Sequence, residues 1–235
     1  MLAGMERRAL VRRPGPRLAD GLVTHIERTP VDVRLAERQW AGYVAALEDN
    51  SWTTVEVPPA DDCPDSAFIE DTMVVCKDLT VISRPGAWER RPETPDAENT
   101  VAAQSYRIAR IEAPGTLDGG DVLKIGETVF VGQGGRTNEA GLQQLRDLLA
   151  SLGVEVVGVP VSKVLHLKSA VTALPDGTVV GYEPLVDDPS VLMASSAPET
   201  AQLFADRGLR PVAVDISEFE RLEGCVTCLS VRLRG

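Results

Sequence analysis

The chain has 235 residues, of which 43% are hydrophobic and 25% charged, an ordinary globular composition that excludes a disordered chain, a coiled coil and a collagen-like protein. At this length we expect one domain covering residues 1–235. The formal net charge of −11 argues against a nucleic-acid partner, whose phosphates Lys and Arg would have to neutralise, and it mildly favours cationic small molecules.

Nothing in the sequence points to a membrane or to export. No run approaches the roughly 18 apolar residues of a membrane span, and residues 1–8 hold no apolar stretch suited to a signal peptide. Four cysteines in a chain this long are too few for a disulfide scaffold. We therefore expect a cytoplasmic protein with no membrane partner.

The first predicted unit is a helix followed by a strand. Thr29-Pro30 supplies a cap and a proline for the first helical position, and Asp32 stands where a capping box places a carboxylate. A strand follows at residues 54–58. The helix has one apolar face, formed by Val33, Ala36, Trp40, Val44 and Leu47.

Three later stretches share one design, an apolar β-run, a tight polar turn and a second apolar β-run, which is typical of a β-hairpin. They are residues 73–82, 121–131 and 170–180. Their turns centre on Lys77-Asp78, Gly126-Glu127 and Asp176-Gly177, so the spacing is 49 and then 50 residues. A constant period of this size indicates a repeated supersecondary unit.

A helix and a crossing strand are predicted between the hairpins. Asn138 caps a leucine-rich helix that Gly153 ends, and a strand follows at residues 154–160. In the preceding unit, residues 91–100 contain two prolines and predict a weak helix. The repeated unit is β-β-α-β, which places the chain in the α/β class.

The period fails near the C-terminus. Strands are predicted at residues 191–195 and 211–215 with a helix around residues 198–206 between them, and a β-rich run follows at 225–233. The second hairpin strand at Val129 recurs 50 residues later at Val179, so its next copy is due near residue 229. The next apolar run instead begins at Val191, only 12 residues after Val179. By this spacing a helix, a crossing strand and a first hairpin strand are missing between Glu183 and Val191.

The Cys225-x-x-Cys228 motif has several interpretations. A zinc site would need a second pair of ligands, and His25 and His166 lie far apart in the sequence. A thioredoxin-like dithiol belongs at a helix N-terminus, whereas a β-rich run points neighbouring residues to opposite faces. We therefore expect no metal and one reactive thiol or, for either cysteine alone, a small buried hydrophobic residue.

Ionisable residues stand at corresponding positions before the three hairpins. Glu70 and Asp71 precede the first hairpin, Asp118 the second and His166 the third. Strand ends of propeller-like and barrel folds present side chains to a central site, so we expect these residues to lie together. Taken singly, each acidic residue is equally compatible with a turn or cap, and a lone histidine is more often structural.

Two arginines complete the set. Arg84 and Arg136 follow the second strands of consecutive hairpins and form a natural pair for a carboxylate, although either alone is compatible with a solvated surface arginine. Carboxylates, two arginines, one histidine and one thiol together suit a substrate that carries both a cationic head and a carboxylate.

Seven motifs, in order, span nearly the whole chain: RLADG at 17–21, PDSAFIED at 64–71, SRPGA at 83–87, TLDGGDV at 116–122, GRTN at 135–138, LHLKS at 165–169 and LEGCVTCLS at 222–230. Together they resemble the dimethylarginine dimethylaminohydrolase family of the guanidine-modifying, or pentein, superfamily. The resemblance implies a five-bladed α/β propeller of β-β-α-β modules, consistent with the period above, with part of modules four and five missing.

The resemblance also implies a reaction. Cys228, and not Cys225, is the nucleophile that attacks the guanidinium carbon of a methylated arginine, His166 is the general acid and base, and Asp118 orients it. The products are citrulline and a methylamine, formed through a covalent thiouronium intermediate without a cofactor. We expect a small-molecule substrate as partner and consider a homodimer.

The same resemblance assigns the substrate-binding residues. Three carboxylates hold the guanidinium with an aromatic ring beside it, two arginines bind the α-carboxylate, and three residues line the mouth of the site. These are Asp65, Glu70 and Asp71, then Phe68, then Arg84 and Arg136, and finally Leu18, Leu222 and Glu223.

Two alternatives stay open. Arginine deiminase shares the cysteine and histidine chemistry, but its motif has an arginine before the aspartate where this chain has Glu70, which favours the methylarginine hydrolase. The second alternative is a catalytically inactive homologue that acts as a binding protein. It is considered because half a module is missing, although every matched catalytic position is retained.

Overall fold

The structure of the protein is a computed structural model that describes residues 7–170, 172–173, 179–180, 190–198, 201–202, 205 and 210–233. Within these ranges the chain is mixed α/β, and its strands form five sheets of two or three strands each. Every helix in the described part is too short or too polar to cross a membrane.

The first unit contains strand β1 (Arg8–Val11), helix α1 (Val33–Asp49) and strand β2 (Thr53–Glu56). The two strands pair in parallel. The helix begins at Val33, later than predicted, because Asp32 is itself the N-cap and its side chain accepts a hydrogen bond from Leu35 N at 3.1 Å. The predicted apolar face is confirmed at Ala36, Trp40 and Leu47, which are buried.

The next two units confirm the predicted β-β-α-β order. In each, an antiparallel hairpin is followed by a helix and a strand that pairs in parallel with the second hairpin strand. The turns include Lys77 and Gly126 at φ of 52° and 58°, the left-handed region that favours glycine. The elements are β3 (Met73–Cys76), β4 (Leu79–Ile82), α2 (Thr94–Ala102), β5 (Arg107–Arg110), β6 (Val122–Ile125), β7 (Thr128–Gln133), α3 (Glu139–Ala150) and β8 (Glu155–Pro160).

Helix α2 corrects the expectation of a weak helix. Pro95 lies in its first turn, where the backbone N–H would have no intrahelical partner in any case. Pro92 falls in a separate 3-10 turn, Trp88–Glu93, that leads into the helix. Two prolines near a helix start are therefore tolerated where two in its interior are not.

The remaining elements are α4 (Leu167–Ala170), β9 (Thr172–Ala173), β10 (Val179–Val180), β11 (Ser190–Ala194), β12 (Arg210–Val214), α5 (Ser217–Glu220) and β13 (Val231–Leu233). Strands β9 and β10 pair antiparallel, as the third hairpin requires, and β11 pairs with β12 in parallel. The turn of that hairpin and the predicted break at residues 183–189 lie outside the described residues. The five-bladed arrangement with incomplete modules stays a prediction.

The β-rich run predicted at residues 225–233 is wrong in its first half. Val226–Leu229 form a 3-10 turn, and only β13 is a strand. This strand pairs antiparallel with β1, with Arg8 opposite Leu233, so the first and last described strands share one sheet. The core beneath packs α1 against Phe68, Leu222 and Cys228, which fixes the segment that leads into β13.

Candidate active site

One small cavity brings together most of the residues singled out in the sequence. It lies where the segments preceding β3 and β9, and the loops that carry Leu22, Arg90 and Arg136, meet the segment before β13. Its wall combines one thiol, carboxylates, cationic groups and apolar side chains. The residues concerned are Cys228, Asp65, Asp71, Glu223, Arg90, Arg136, His166, Leu22, Phe68, Leu165, Leu222 and Gly224.

His166 is the buried centre of the site. Its Nε2 lies 3.1 Å from Asp118 Oδ2 and 3.8 Å from Asp71 Oδ1. Burial disfavours the charged imidazolium, but the carboxylates of Asp71, Asp118 and Asp121 outweigh it and raise the pKa of His166 to about 9. The side chain is therefore protonated near neutral pH and can donate a proton.

Asp118 is held on its other side as well, since its Oδ1 accepts the Gly86 N–H at 2.9 Å. This carboxylate is fully buried. A buried carboxylate fixed from both sides restrains the imidazole that it contacts, which is what an orienting residue must do.

Asp71 stands at the junction of three segments. It accepts the Gly120 N–H at 2.7 Å and pairs with Arg90 Nη1 at 2.5 Å. Burial alone would raise its pKa, yet His166 and Arg90 lower it to about 2, so the carboxylate stays ionised.

Close packing explains the glycines that follow Asp118. A Cβ on Gly120 would lie 2.6 Å from His166 Nδ1 and 2.7 Å from Asp71 Oδ1. The Asp118-Gly-Gly segment, compatible in sequence with an ordinary turn, is a place where the backbone must approach the side chains of His166 and Asp71.

Asp121 is a buried carboxylate that we did not single out. Its Oδ1 accepts the Leu167 N–H at 3.0 Å and its Oδ2 accepts the Thr137 hydroxyl at 2.6 Å, so it fixes the backbone next to His166. Burial raises its pKa to about 6. The repeated aspartate in Asp118-Gly-Gly-Asp121 was the signal available in the sequence.

Cys228 lies at the cavity wall with 6% of its surface exposed. The 3-10 turn brings Cys225 to the same side, and the two Sγ atoms are 3.2 Å apart. The expectation that the two residues face opposite ways is wrong, because residues three apart in a 3-10 turn eclipse one another.

The predicted guanidinium-binding carboxylates have different partners. Asp65 accepts the Leu22 N–H at 3.1 Å, and it lines the cavity beside Phe68. Glu70 Oε1 pairs with Lys168 Nζ at 2.6 Å, whereas its buried Oε2 has no hydrogen-bond partner in the described part of the chain. A buried carboxylate oxygen in this position can accept an N–H from a ligand.

The structure separates the two predicted arginines. Arg136 lines the cavity, and its buried Nη1 has no hydrogen-bond partner among the described residues. Arg84 instead donates from Nη1 to Gly115 O at 3.0 Å. Arg90, which we did not single out, lines the cavity and is held by Asp71 and Glu93, at 2.5 and 2.8 Å.

The three residues predicted to line the mouth of the site lie in different surroundings. Leu222 lines the cavity, while Leu18 is fully buried in the core and Leu22 takes the place expected for it at the wall. Glu223 anchors a neighbouring loop: its Oε1 accepts the N–H groups of Thr24 and Ile26, each at 2.9 Å. Loop 22–26 is thereby tied to the segment that carries Cys228.

Asp71, Asp118 and His166 offer ligand atoms within 4.8 Å of one another. This set suits a metal poorly, because Asp71 already binds Arg90 and the Gly120 N–H, and a protonated imidazole has no lone pair to give. A second hollow, beside β11 and β12, is lined by alanine, proline, serine and glutamine side chains, and its described lining holds no ionisable group.

Several solved structures share the fold of this chain. No protein-family profile matches the chain. A crystal structure of dimethylarginine dimethylaminohydrolase from Pseudomonas aeruginosa, a cysteine-to-serine mutant with citrulline, superposes with a TM-score of 0.90 at 30% identity, covering 97% of this chain and 100% of that one. The N-terminal domain of ArgZ, described as an arginine dihydrolase from cyanobacteria, shares the fold at a TM-score of 0.81 and 17% identity. Fold and cavity together define a pentein enzyme.

Sequence relatives narrow the class. The dimethylarginine dimethylaminohydrolase of Streptomyces coelicolor is 59% identical over 251 aligned positions, covering 97% of each chain. That of Pseudomonas aeruginosa is 31% identical over 254 positions, covering 97% of this chain and 100% of the relative. The chain belongs to the dimethylarginine dimethylaminohydrolase family. Both alignments are longer than the chain itself, so each relative has residues at positions where this chain has none.

Proposed function

We propose that this protein hydrolyses Nω-methylated arginine to citrulline and dimethylamine or methylamine. The observation that carries the proposal is the cavity lined by Cys228, His166, Asp65 and Asp71, with Asp118 bound to His166 behind the cavity wall. The 59% identical relative named for this activity supports the choice of substrate.

Charged side chains of the site are complementary to both ends of the proposed substrate. Asp65 and Asp71 at the cavity wall and Glu70 beside them attract a guanidinium group, and Phe68 packs alongside. Arg136 Nη1, which has no hydrogen-bond partner among the described residues, suits the α-carboxylate at the other end. Arg136 takes this role in the proposal, since Arg84 is engaged with Gly115 O.

The chemistry begins with the thiol. A guanidinium carbon is a poor electrophile, so a thiolate is needed as nucleophile and the substrate must be held in place. The Cys225 hydrogen bond and burial raise the pKa of Cys228, and a bound cationic guanidinium lowers it again. The reactive thiolate forms when the substrate arrives.

His166 then moves two protons. The Cys228 sulfur bonds to the guanidinium carbon, and protonated His166 gives its proton to the departing dimethylamine nitrogen as the carbon–nitrogen bond breaks. Neutral His166 next takes a proton from water, whose oxygen attacks the thiouronium carbon. The carbon–sulfur bond breaks as the hydroxyl proton of the intermediate passes to the sulfur, which releases citrulline and restores the Cys228 thiol.

The test is an assay of citrulline formation from asymmetric dimethylarginine, monomethylarginine and arginine, with wild type and Cys228→Ser. We expect turnover of the methylated substrates, little with arginine and none after the substitution. Preference for arginine would indicate a deiminase. Folded wild-type protein inert towards all three would favour a binding protein, a reading compatible with the positions at which this chain has no residue.

Two further proposals concern the setting of the enzyme. We infer a cytoplasmic protein without nucleic-acid or membrane partners, on the charge and sequence grounds given above, and a homodimer as its assembly. Multi-angle light scattering of the purified protein measures its mass directly, and a monomer mass at micromolar concentration would overturn the dimer.

A further inference from the structure

The Cys225-x-x-Cys228 motif is only half used by the proposed reaction, which needs Cys228 alone. The two sulfur atoms are 3.2 Å apart, and Cys228 N donates to Cys225 O at 3.1 Å. Such a turn holds its end Cα atoms within about 7 Å, close to the spacing of about 4.4–6.8 Å that a disulfide requires. The turn therefore places both thiols where a covalent bond between them needs little backbone movement.

The ionisation of the two thiols also favours their reaction. The hydrogen bond with Cys228 lowers the pKa of Cys225 to about 7, and Thr227 Oγ1 lies 3.2 Å from the same sulfur. Because the two sulfurs share a proton, the pair carries one thiolate near neutral pH. By contrast, burial raises the pKa of Cys63 and of Cys76, which keeps both as thiols.

Access distinguishes the two sulfurs. Cys228 is buried and lies at the wall of the cavity that receives the substrate, whereas Cys225 is half-buried and lies beside the cavity, outside its described lining. A small oxidant that enters the cavity therefore meets Cys228 first.

We propose that hydrogen peroxide converts Cys225 and Cys228 into an intramolecular disulfide, a reversible modification that blocks the nucleophile. The effect on turnover rests on the proposed function, whereas formation of the disulfide does not.

The reaction balances in two steps. The Cys225 thiolate takes the proton of the Cys228 thiol, and the Cys228 sulfur attacks one peroxide oxygen. An S–O bond forms, the O–O bond breaks and the departing hydroxide takes the proton back from Cys225 to become water, so Cys228 becomes a sulfenic acid and Cys225 is again a thiolate. The Cys225 thiolate then attacks the Cys228 sulfur, the S–O bond breaks and the oxygen leaves as water. Two thiols lose two electrons, and one peroxide is reduced to two waters.

The disulfide has a protective consequence. A sulfenic acid without a nearby thiol is oxidised further to sulfinic acid, which dithiothreitol does not reduce. With Cys225 in contact, Cys228 is captured before that step, and a dithiol restores both thiols.

The experiment treats the full chain with hydrogen peroxide, alkylates it under denaturing conditions and maps the tryptic peptide 222–232, which contains both cysteines. In wild type we expect this peptide to lose two hydrogen atoms in mass, to escape alkylation and to return to the dithiol form with dithiothreitol. Citrulline formation should fall and recover in parallel.

Two variants give the controls. In Cys225→Ser we expect sulfinic acid at Cys228 and activity that dithiothreitol does not restore, whereas Cys63→Ser, which removes a distant buried thiol, should behave as wild type. Peroxide-treated wild type with sulfinic acid and no disulfide in peptide 222–232 would overturn the proposal. If the disulfide forms in a protein that never made citrulline, the proposed function fails and the modification site stands.

Discussion

Asp118 Oδ2 lies 3.1 Å from His166 Nε2, and both side chains are almost completely excluded from solvent. Together with the charge of Asp71, this contact holds a positive charge on an imidazole that burial alone would keep neutral. The proposed reaction needs that charge, since the proton it represents is the one given to the leaving amine.

Replacing Asp118 with Asn should weaken both the charge and the orientation of the imidazole. We expect kcat for methylarginine to fall on the order of 100-fold or more, the contribution of a well-placed general acid and base. The alkaline limb of the pH–rate profile should move to lower pH, because the pKa of His166, about 9 in wild type, falls. The exposed Asp62→Asn is the matched control, and an unshifted profile in Asp118→Asn would remove Asp118 from this role.

The same pair makes stability depend on pH. The pKa of His166 is higher in the folded protein than its ordinary value of about 6.5, so its stabilisation is fully present below pH 6.5 and is lost as the pH rises through about 9. Urea unfolding between pH 6 and pH 10 should show a steeper loss in wild type than in Asp118→Asn. Parallel curves for the two proteins would mean that the ion pair does not control this range.

Gly120→Ala tests the close approach of the backbone to the site. The added methyl group overlaps His166 and Asp71, and we expect a loss of about 1–3 kcal/mol in unfolding free energy together with most of the activity. Gly42→Ala makes the same change inside helix α1, where nothing lies within 4 Å of the new Cβ. There we expect a gain of about 0.5–1 kcal/mol, since alanine is the better helix former. Equal effects at the two sites would contradict the steric explanation.

Arg136→Ala should raise KM for methylarginine about 10- to 100-fold, the value of one charge-assisted hydrogen bond, with a smaller effect on kcat. Arg84→Ala removes only a hydrogen bond to Gly115 O and should leave KM near the wild-type value. A decarboxylated substrate analogue provides the decisive comparison, because Arg136→Ala should not weaken its binding further. If Arg84→Ala gave the larger change in KM, the carboxylate would lie elsewhere.

Glu223→Gln should loosen loop 22–26, since the carboxylate that accepts the Thr24 and Ile26 N–H groups loses its charge. Amides 24–26 should exchange with deuterium faster, while the exposed Glu127→Gln leaves them unchanged. Burial opposes the charge on Glu223, but these backbone bonds lower its pKa overall, so protection of the loop should be present above about pH 4.5 and lost as the pH falls through the lowered value. Exchange that stays slow in Glu223→Gln would contradict this anchoring.

Local signals predicted the repeated units well. The hairpins at β3–β4 and β6–β7 and the Asn138 cap, which accepts the Gly141 N–H at 2.8 Å, depend on residues close in sequence. The shared site of Asp71, Asp118 and His166 could also be predicted, because each precedes a hairpin in a repeat of nearly constant length.

Other features depend on distant residues and left little trace in the sequence. Arg90 and Arg84 are the same residue type and differ in their partners. Those of Arg90 include the backbone carbonyls of Asp65 and Phe68, at 3.2 and 3.0 Å. The 3-10 turn before β13 is made of residues that favour strands, and tertiary packing overrides that preference. Arg90 and the 3-10 turn could not be predicted because they depend on residues far apart in the chain, whereas the hairpins and the Asn138 cap depend on residues close in sequence.

The pairing of β1 with β13 has a consequence for refolding. The two strands are more than 200 residues apart in sequence, and closing so long a loop costs entropy before any contact repays it. Cys228 enters the cavity from the turn immediately before β13, so the thiol is positioned only in molecules whose first and last strands have met. Catalytic activity would then measure the fraction of molecules in which β1 and β13 have paired. During refolding it should return later than the helical circular-dichroism signal.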